Sequence, residues 1–193
     1  DRSRVKTVTQ VKSNQTCENK RQALSQIKRI NWKSLDFRTK NQKSFYQTIG
    51  RNDVSFCVGP AGCGKTYLAT YYALKNLAEG KYENMIITKP LVEVDGEKLG
   101  FLPGDIDEKT APYMMSLYYN MEQIIGKERL EVLKETGVVK VIPLAYMRGL
   151  TITDSVVVLD EAQNATTSQI KTFLTRIGQG SKFIINGDLM QSD

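Results

Sequence analysis

Residues Val54 to Thr66 read VSFCVGPAGCGKT, and the rest of the chain is interpreted around this stretch. Its first five residues place apolar side chains at alternate positions, which is typical of a short buried strand that stops at Gly59. From Gly59 onward the spacing fits G-x-x-x-x-G-K-[ST]. The run from Tyr67 to Glu79, closed by Gly80, predicts a helix. Strand, glycine-rich turn and helix in this order predict a site for phosphate groups at the helix N-terminus.

The residue types in this turn suit the chemistry of a nucleotide. Glycines let backbone N–H groups turn toward phosphate oxygens, which a Cβ atom would obstruct. Lys65 supplies a mobile positive charge for the β- and γ-phosphates, and Thr66 offers a hydroxyl oxygen to Mg²⁺. We therefore predict that ATP and Mg²⁺ are bound here, with nucleotide contacts from Gly59, Pro60, Ala61, Gly62, Cys63, Gly64, Lys65, Thr66 and Tyr67.

A second motif follows the apolar run Val156 to Leu159, which has the composition of a parallel strand buried on both faces. The run ends in Asp160 and Glu161, the layout of a Walker B motif. Asp160 is predicted to hold Mg²⁺, and Glu161 to polarise the attacking water. An acidic pair after an apolar run is a weak signal alone, but downstream of a phosphate-binding loop it becomes a strong one.

The remaining elements alternate in type along the chain. Further strands are predicted at 85–88, 138–142 and 183–185, and helices at 41–49, 111–125 and 127–136. Thr166 or Thr167 is predicted to cap another helix, which presents Ile170, Phe173, Leu174 and Ile177 on one face. This alternation predicts an α/β sandwich, with a mainly parallel sheet flanked by helices and right-handed crossovers.

Two other segments carry predictions of their own. Residues 91–108 are too irregular for one element and are predicted to form a long loop. The polar cluster from Asn186 to Gln191 follows the last strand, where a γ-phosphate sensor belongs at the carboxyl edge of the sheet. Three tyrosines of the 111–125 helix can either stack on nucleic-acid bases or pack against the protein, and we favour packing: Tyr113, Tyr118 and Tyr119.

Composition excludes several classes of site. The 193 residues include no histidine, which removes Ser-His-Asp and Cys-His nucleophile systems. The three cysteines are widely placed, so we expect reduced thiols and no zinc site. No apolar run reaches membrane-spanning length, and the N-terminus has no signal-peptide pattern. We therefore expect a cytoplasmic protein with no membrane partner.

Charge is distributed unevenly. Residues 1–52 carry 13 Lys and Arg against 3 acidic residues, whereas residues 53–193 carry 14 against 18. The basic segment either contacts nucleic-acid phosphates or is a solvated leader. We predict a basic N-terminal arm at 1–36, partly helical or disordered, in which Ala23, Ile27 and Ile30 share a helix face capped by Asn19, and an ATPase domain at 37–193. Because the chain begins with Asp1 rather than Met, we expect it to be part of a longer protein.

An ordered set of motifs resembles the PhoH-like family of ATPases over about 39–193. The motifs are GPAGCGKT, KPLVEVDGEKLGFLPGD, PLAYMRG, VVVLDEAQN, FLTRIG and GDLMQ. That family in turn is similar to the first RecA-like domain of superfamily 1 helicases, where DEAQ and GDxxQ are two of the helicase motifs. Two positions depart from the pattern, with Leu150 and Lys89 where arginines are expected, and the sequence stops where the family continues, so we expect a C-terminally short domain.

The resemblance implies roles for three glutamines. Gln42 is expected to recognise adenine, and Gln163 and Gln191 to sense the γ-phosphate. The family is also linked to phosphate starvation and to phages. The resemblance further implies RNA-related ATPase activity and ring-shaped homo-oligomers such as hexamers. In such a ring, Arg176 or Arg148 is a candidate for an arginine donated across the subunit boundary.

Three functions remain open from the sequence. The first is an ATP hydrolase coupled to RNA or single-stranded nucleic acid, with helicase-like character. The second is a P-loop phosphotransferase, although the chain shows neither an arginine-rich lid nor an acceptor pocket. The third is a nucleotide-gated binding module with little turnover, which the intact Lys65, Asp160 and Glu161 disfavour.

Overall fold

The computed structural model of the chain describes residues 16–32, 34–91, 106–188 and 190. Its α-helices are α1 (16–28), α2 (Lys40–Arg51), α3 (Lys65–Ala78), α4 (Ile106–Ile125), α5 (Lys127–Glu135) and α6 (Thr167–Leu174). Two short 3₁₀ helices span Leu144–Met147 and Ala162–Asn164. None of these helices is long and apolar enough to cross a membrane.

A five-stranded sheet forms the centre of the structure. Its strands are β1 (Val54–Val58), β2 (Asn84–Thr88), β3 (Val139–Val141), β4 (Ser155–Leu159) and β5 (Lys182–Gly187). They lie in the order β1-β5-β4-β2-β3, and every neighbouring pair is parallel. β4 is central and all five of its residues are buried, as its continuous apolar run predicts. The predicted α/β architecture with a parallel sheet is confirmed.

The path of the chain decides which helices cover which face of the sheet. From β1 to β2 to β3 the chain moves across the sheet in one direction, and α3, α4 and α5 lie on one face. From β3 to β4 to β5 it returns, and the first 3₁₀ helix and α6 lie on the opposite face. A right-handed crossover requires this exchange of faces whenever the direction of travel reverses.

Each face of the sheet has its own apolar core. The larger one is packed against α1 to α5 and includes the fully buried Leu74 and Met121. The smaller one lies under α6, where the rings of Phe173 and Phe183 have their centroids 4.8 Å apart. Since burying one such side chain stabilises a fold by about 1.5–3 kcal/mol, these two cores hold both helical layers on the sheet.

The described part of the N-terminal arm is helical. Ala23 and Ile27 are buried in the larger core, and the Trp32 ring meets Tyr71 of α3 edge-on at 5.4 Å. Asn19 lies inside α1 rather than at its N-cap, so that prediction is wrong. The division into an arm at 1–36 and a domain at 37–193 stays a prediction, and residues 1–15 lie outside the described part.

Several element boundaries differ from prediction. Helix α3 begins at Lys65, two residues early, because Gly64 already turns the chain into the helix. Helix α4 begins at Ile106 and contains Pro112, a residue that usually ends a helix, so the sequence pattern placed its start too late. Thr166 is the N-cap of α6, with a complete capping box to Gln169.

Lys182 is a buried cation at the start of β5 that holds α2 in place. Its Nζ donates to the carbonyl oxygens of Ile49, at 2.7 Å, and of Asn52, the C-cap of α2. Those carbonyls lack intrahelical partners, and a cation is favoured there by the helix dipole. Burial lowers the pKa of Lys182, and Asp53 opposes that shift.

We predict that Lys182→Met lowers the free energy of unfolding by about 1–3 kcal/mol, because the buried carbonyl of Ile49 and the partly buried carbonyl of Asn52 lose their donor. Urea unfolding followed by circular dichroism measures this change. The exposed Lys127 provides the matched control, since Lys127→Met should shift stability by less than about 0.5 kcal/mol. Equal effects at the two positions would contradict a capping role for Lys182.

Candidate functional site

The glycine-rich turn after β1 adopts a conformation that only glycine tolerates well. Gly62 and Gly64 have φ values of +73° and +87°. A Cβ atom on Gly64 would also lie 3.3 Å from Nε2 of Gln42, tighter than normal packing. The turn leads directly into α3, whose first backbone N–H groups have no partner within the helix. The result is a cradle of N–H groups that suits phosphate oxygens.

Lys65 lies folded over this cradle. Its Nζ donates to the carbonyl oxygens of Gly59 at 2.6 Å and Pro60 at 2.8 Å, and lies 3.8 Å from Sγ of Cys63. The ammonium group therefore rests on carbonyls of the turn itself. A nucleotide phosphate would offer it a stronger, charge-assisted partner at the same place.

The cysteines of the described part are free thiols. Burial raises the pKa of Cys57 to about 11, a shift that Cys63 increases and Lys65 opposes. Cys57 and Cys63 both line a cavity of about 310 Å³ beside the turn. Because Cys57 stays protonated at neutral pH, it behaves there as a small apolar side chain.

A hydrogen bond joins the two motifs. The Thr66 hydroxyl donates to Oδ1 of Asp160 at 2.8 Å, across 94 positions of sequence. A hydroxyl and a carboxylate are the hard oxygen ligands that Mg²⁺ prefers, and Mg²⁺ usually takes its remaining ligands from water and phosphates. The described residues contain no group of three or more acidic, Cys or His side chains able to hold a metal. Thr66 and Asp160 therefore fit a magnesium site.

Asp160 is a buried carboxylate, 7% exposed. Burial raises its pKa, and Glu161 raises it further, while the Thr66 hydroxyl, the Asn186 side chain and the Glu161 backbone N–H lower it. Asn186 is fully buried in β5, and neither polar atom of its side chain forms a hydrogen bond of normal geometry. A buried amide in this state costs about 1–3 kcal/mol. Among the described residues, the site thus contains a buried amide without a hydrogen-bond partner of normal geometry.

Glu161 is held in a strained and specific position. Its φ of +54° places it in the left-handed region, which costs a residue with a side chain about 1–3 kcal/mol. Its Oε2 accepts a 2.6 Å hydrogen bond from Nε2 of Gln163. Oε1 of the same Gln163 accepts from the backbone N–H of Asp188 at 2.9 Å. Gln163 therefore connects the Walker B glutamate to the end of β5.

Gln42 lies on the other side of the phosphate turn. Its Nε2 donates to the Cys63 carbonyl at 3.0 Å, and its Oε1 accepts from the backbone N–H of Arg38 at 2.8 Å. One N–H and one lone pair of the amide remain free for another partner. Next to it is a cavity of about 790 Å³, whose walls include Leu35, Tyr67 and Tyr71. Its size and its aromatic walls suit a planar base.

The structure thus brings most of the predicted site residues to one edge of the sheet. β5 lies between β1 and β4, so its end lies between the phosphate turn and the Walker B pair. Gln191 lies outside the described residues. Arg176 donates to Thr172 O and Thr175 Oγ1 at the end of its own helix, whereas Arg148 lines a separate cavity beside α6.

Some site residues were not identified individually from the sequence. Asn186 and Asp188 were noted only as members of a polar cluster, although their position directly after an apolar strand was a usable signal. Arg38, Leu35 and Tyr71 line the larger cavity without belonging to any motif. Their contribution depends on how the segment before α2 folds over the turn, which no local pattern reveals.

Comparison with known proteins agrees with this geometry. The family model described as PhoH-like protein matches residues 34–193. The chain belongs to the PhoH-like family. Among its relatives are a PhoH-like protein of Bacillus subtilis, 49% identical over 161 residues, which are 83% of this chain and 50% of that protein. A PhoH-like protein of Synechocystis is 47% identical over 81% of this chain and 47% of its own length. Protein PhoH of Escherichia coli K12 is 41% identical over 81% of this chain and 44% of its own length.

Membership in the PhoH-like family agrees with the P-loop NTPase layout of the site. The chain spans about half the length of these PhoH-like relatives. The turn at 59–66, the carboxylates after β4 and the end of β5 all lie inside the matched residues.

We predict that Asp160→Asn stabilises the ligand-free protein by about 0.5–2 kcal/mol, the usual size of a stabilising substitution. A folded-state pKa raised above the unfolded value means that the folded protein favours the protonated carboxyl. Ionised Asp160 therefore costs stability at neutral pH, and this cost fades as the pH falls through the folded-state pKa. Asparagine removes the charge and still accepts from Thr66.

Urea unfolding of both proteins at pH 7 and pH 5 measures this effect. The stability difference should be larger at pH 7 and should narrow as the pH is lowered, because more of the folded protein then carries a protonated Asp160. Mg²⁺-dependent nucleotide binding, followed with a fluorescent ATP analogue, should be lost in Asp160→Asn. A variant that is less stable than the unmodified protein at pH 7 would show that the Asp160 charge is satisfied in the folded state.

Proposed function

We propose that the chain binds ATP with Mg²⁺ and hydrolyses it. The observation that carries this proposal is the 2.8 Å hydrogen bond from Thr66 to Asp160, because it places the hydroxyl of one motif and the carboxylate of the other at a single point. Thr66 and Asp160 would hold Mg²⁺, whose positive charge would offset the negative charge of the ATP phosphates. Lys65 would leave the carbonyls of Gly59 and Pro60 and bind the same phosphates.

We assign the proton transfer to Glu161. Its carboxylate would orient a water molecule and accept its proton as the water attacks the γ-phosphate. Gln163 positions that carboxylate through the 2.6 Å contact and anchors it to Asp188. Gln191 is proposed, from the family resemblance alone, to sense the γ-phosphate.

Adenine recognition is assigned to Gln42 and the cavity beside it. The free N–H and the free lone pair of the Gln42 amide match N7 and the N6 amino group of adenine. Guanine presents an acceptor where adenine presents that amino group. The rings of Tyr67 and Tyr71 supply the flat apolar wall.

Coupling of hydrolysis to RNA or single-stranded nucleic acid, with helicase-like action, is also part of the proposal. So is a homo-oligomer of ring form. Their support is the family resemblance and the excess of 13 basic over 3 acidic residues in the first 52. The contacts of Arg176 within its own helix favour a capping role for it over an arginine donated to a neighbouring subunit. Sedimentation velocity with and without ATP tests the oligomer.

We predict that Lys65→Ala abolishes nucleotide binding, whereas Glu161→Gln retains ATP and loses hydrolysis. The first variant removes the positive charge at the phosphates, and the second removes the proton acceptor while keeping the volume. Gln163→Ala should bind ATP normally and lower kcat by about 10²–10⁴-fold, the usual contribution of a positioned general base. Calorimetric titration and phosphate release measure the two steps.

Thr167→Ala is the control for these variants, because Thr167 is exposed and lies only four residues from Gln163. It should leave both binding and turnover unchanged. Equal loss of binding in Glu161→Gln and Lys65→Ala would contradict the division of roles. Phosphate that appears on an acceptor rather than in solution would favour a phosphotransferase.

A separate prediction concerns the base. Gln42→Ala should reduce the preference for ATP over GTP by about 5- to 150-fold. This range corresponds to about 1–3 kcal/mol, the free energy by which one bidentate contact discriminates between two bases. Competitive binding of the two nucleotides measures the ratio. Asn41→Ala, on the adjacent and exposed residue, is the matched control. If the ratio is unchanged in Gln42→Ala, Gln42 only supports the phosphate turn through Cys63.

A further inference from the structure

One face of the protein is free of acidic residues over two long segments. Residues 139–153 and 162–187 contain no Asp or Glu, although the whole chain has 21 of them, and they contain five Lys and Arg. The acidic residues between the segments, Asp154, Asp160 and Glu161, flank β4 at its two ends. Of these five cations, Lys182 is buried against the end of α2, so the surface charge of the two segments comes from Lys140, Arg148, Lys171 and Arg176.

The two segments meet on the surface. The 3₁₀ helix Leu144–Met147 and α6 lie side by side on the sheet face opposite α3, anchored by the buried Met147 and Phe173. Between them is a cavity of about 220 Å³, lined by Leu144, Ala145, Arg148, Ser168, Gln169 and Thr172. We call this surface, with the exposed Tyr146, Leu150 and Lys171, the basic face.

The two cations of the basic face are unpaired in the described part of the chain. The side chains of Arg148 and Lys171 form no hydrogen bond or ion pair with any residue that the structure describes. On the other side of the molecule, by contrast, Lys81 and Lys134 are paired with glutamates at 2.9 and 3.1 Å. An unpaired guanidinium beside hydroxyl groups is the usual chemistry of a phosphate contact.

The same short segment carries an exposed aromatic side chain. Tyr146 is 45% exposed and lies two positions before Arg148. Single-stranded nucleic acids are bound by this combination, in which basic side chains follow the backbone and aromatic rings stack on bases. An acidic protein is the alternative ligand for such a surface. It would pair with the basic side chains, but it would not explain the exposed aromatic ring.

The basic face also begins at the proposed catalytic edge. The segment from Glu161 to the N-cap of α6 at Thr166 includes Gln163, which contacts Glu161. On the other side, the backbone N–H of Leu144 donates to Lys89 O at the end of β2. A ligand on the basic face would therefore lie within a few residues of the side chain that positions the general base.

We propose that the basic face binds a single-stranded polynucleotide, with Arg148 and Lys171 on backbone phosphates and Tyr146 stacked on a base. This inference rests on the proposed function as a nucleic-acid-coupled ATPase and names the surface that performs the coupling. It places the principal contact on the ATPase domain rather than on the basic residues of the N-terminal arm.

The test is fluorescence anisotropy of labelled poly(U) and poly(dT) oligonucleotides with the full chain, without ATP, over a range of salt concentrations. Arg148→Glu/Lys171→Glu should weaken binding at least tenfold near 0.1 M salt. The slope of log affinity against log salt concentration should also become less steep, by about 0.7 for each lost phosphate contact. Tyr146→Ala should weaken binding about fivefold or more with the salt dependence unchanged, because stacking releases no counterions.

Two controls separate this surface from general charge. Arg51→Glu/Lys127→Glu makes the same change in net charge at exposed residues of α2 and α5, and should leave most of the affinity. A second variant replaces Arg2, Arg4, Lys6 and Lys12 by Gln in the full chain, and should bind almost as well as the unmodified protein. Unfolding midpoints and binding of a fluorescent ATP analogue confirm that every variant is folded.

The outcomes discriminate between this inference and the function on which it rests. If the arm variant loses affinity while Arg148→Glu/Lys171→Glu binds normally, the basic face is overturned and nucleic-acid coupling stands. If the unmodified chain hydrolyses ATP but binds neither oligonucleotide, both fall while the ATPase assignment stands. Poly-glutamate that competes as well as poly(U) would overturn the nucleic-acid assignment. If the unmodified chain binds the oligonucleotides but does not hydrolyse ATP, and the face variants lose this binding, the basic face is supported and the proposed ATPase activity is overturned.

Discussion

The contact between Thr66 and Asp160 is the constraint on which the remainder of the site depends. The two residues belong to α3 and to the end of β4, and β4 is separated from β1 by β5. They can meet because α3 crosses the same sheet face toward which Asp160 points, with Val156 and Val158 packed beneath it. The parallel order of strands therefore matters chemically, since it brings a hydroxyl and a carboxylate to one point above three strand ends.

This arrangement works against stability. Asp160 is a buried carboxylate with a raised pKa, Glu161 has a left-handed backbone, and Asn186 has a buried amide without a normal hydrogen bond. Each feature costs on the order of 1 kcal/mol or more, and the three lie within two neighbouring strand ends. The apolar cores on both sheet faces offset that cost. Local departures of this kind gather at functional sites, where ligands supply the missing partners.

Much of this was accessible from the sequence, because strands and the phosphate turn leave local patterns. All five strands follow from apolar runs, and the turn follows from the positions of Gly59, Gly64 and Lys65. In β1, however, the alternation does not mark the buried face, because Phe56 and Val58 are exposed and Ser55 is buried. Contacts between distant positions left no such pattern. The bond between Gln163 and Asp188 depends on β5 lying beside β4. A lysine at the start of a strand is expected on the surface, so the sequence does not predict the burial of Lys182. Its burial follows from the position of β5, which begins beneath the end of α2.

The return path of the chain links the nucleotide site to the opposite face. After β4 the chain passes through the 3₁₀ helix Ala162–Asn164 and then enters α6, so Gln163 lies between the proposed general base and the basic face. Gln163 donates to Glu161 through its amide nitrogen and accepts from Asp188 through its amide oxygen. A small shift of α6 against the sheet would stretch one of these two bonds. Because hydrogen bonds weaken steeply with distance and angle, such a shift would change the position of Glu161 without any contact to the phosphates.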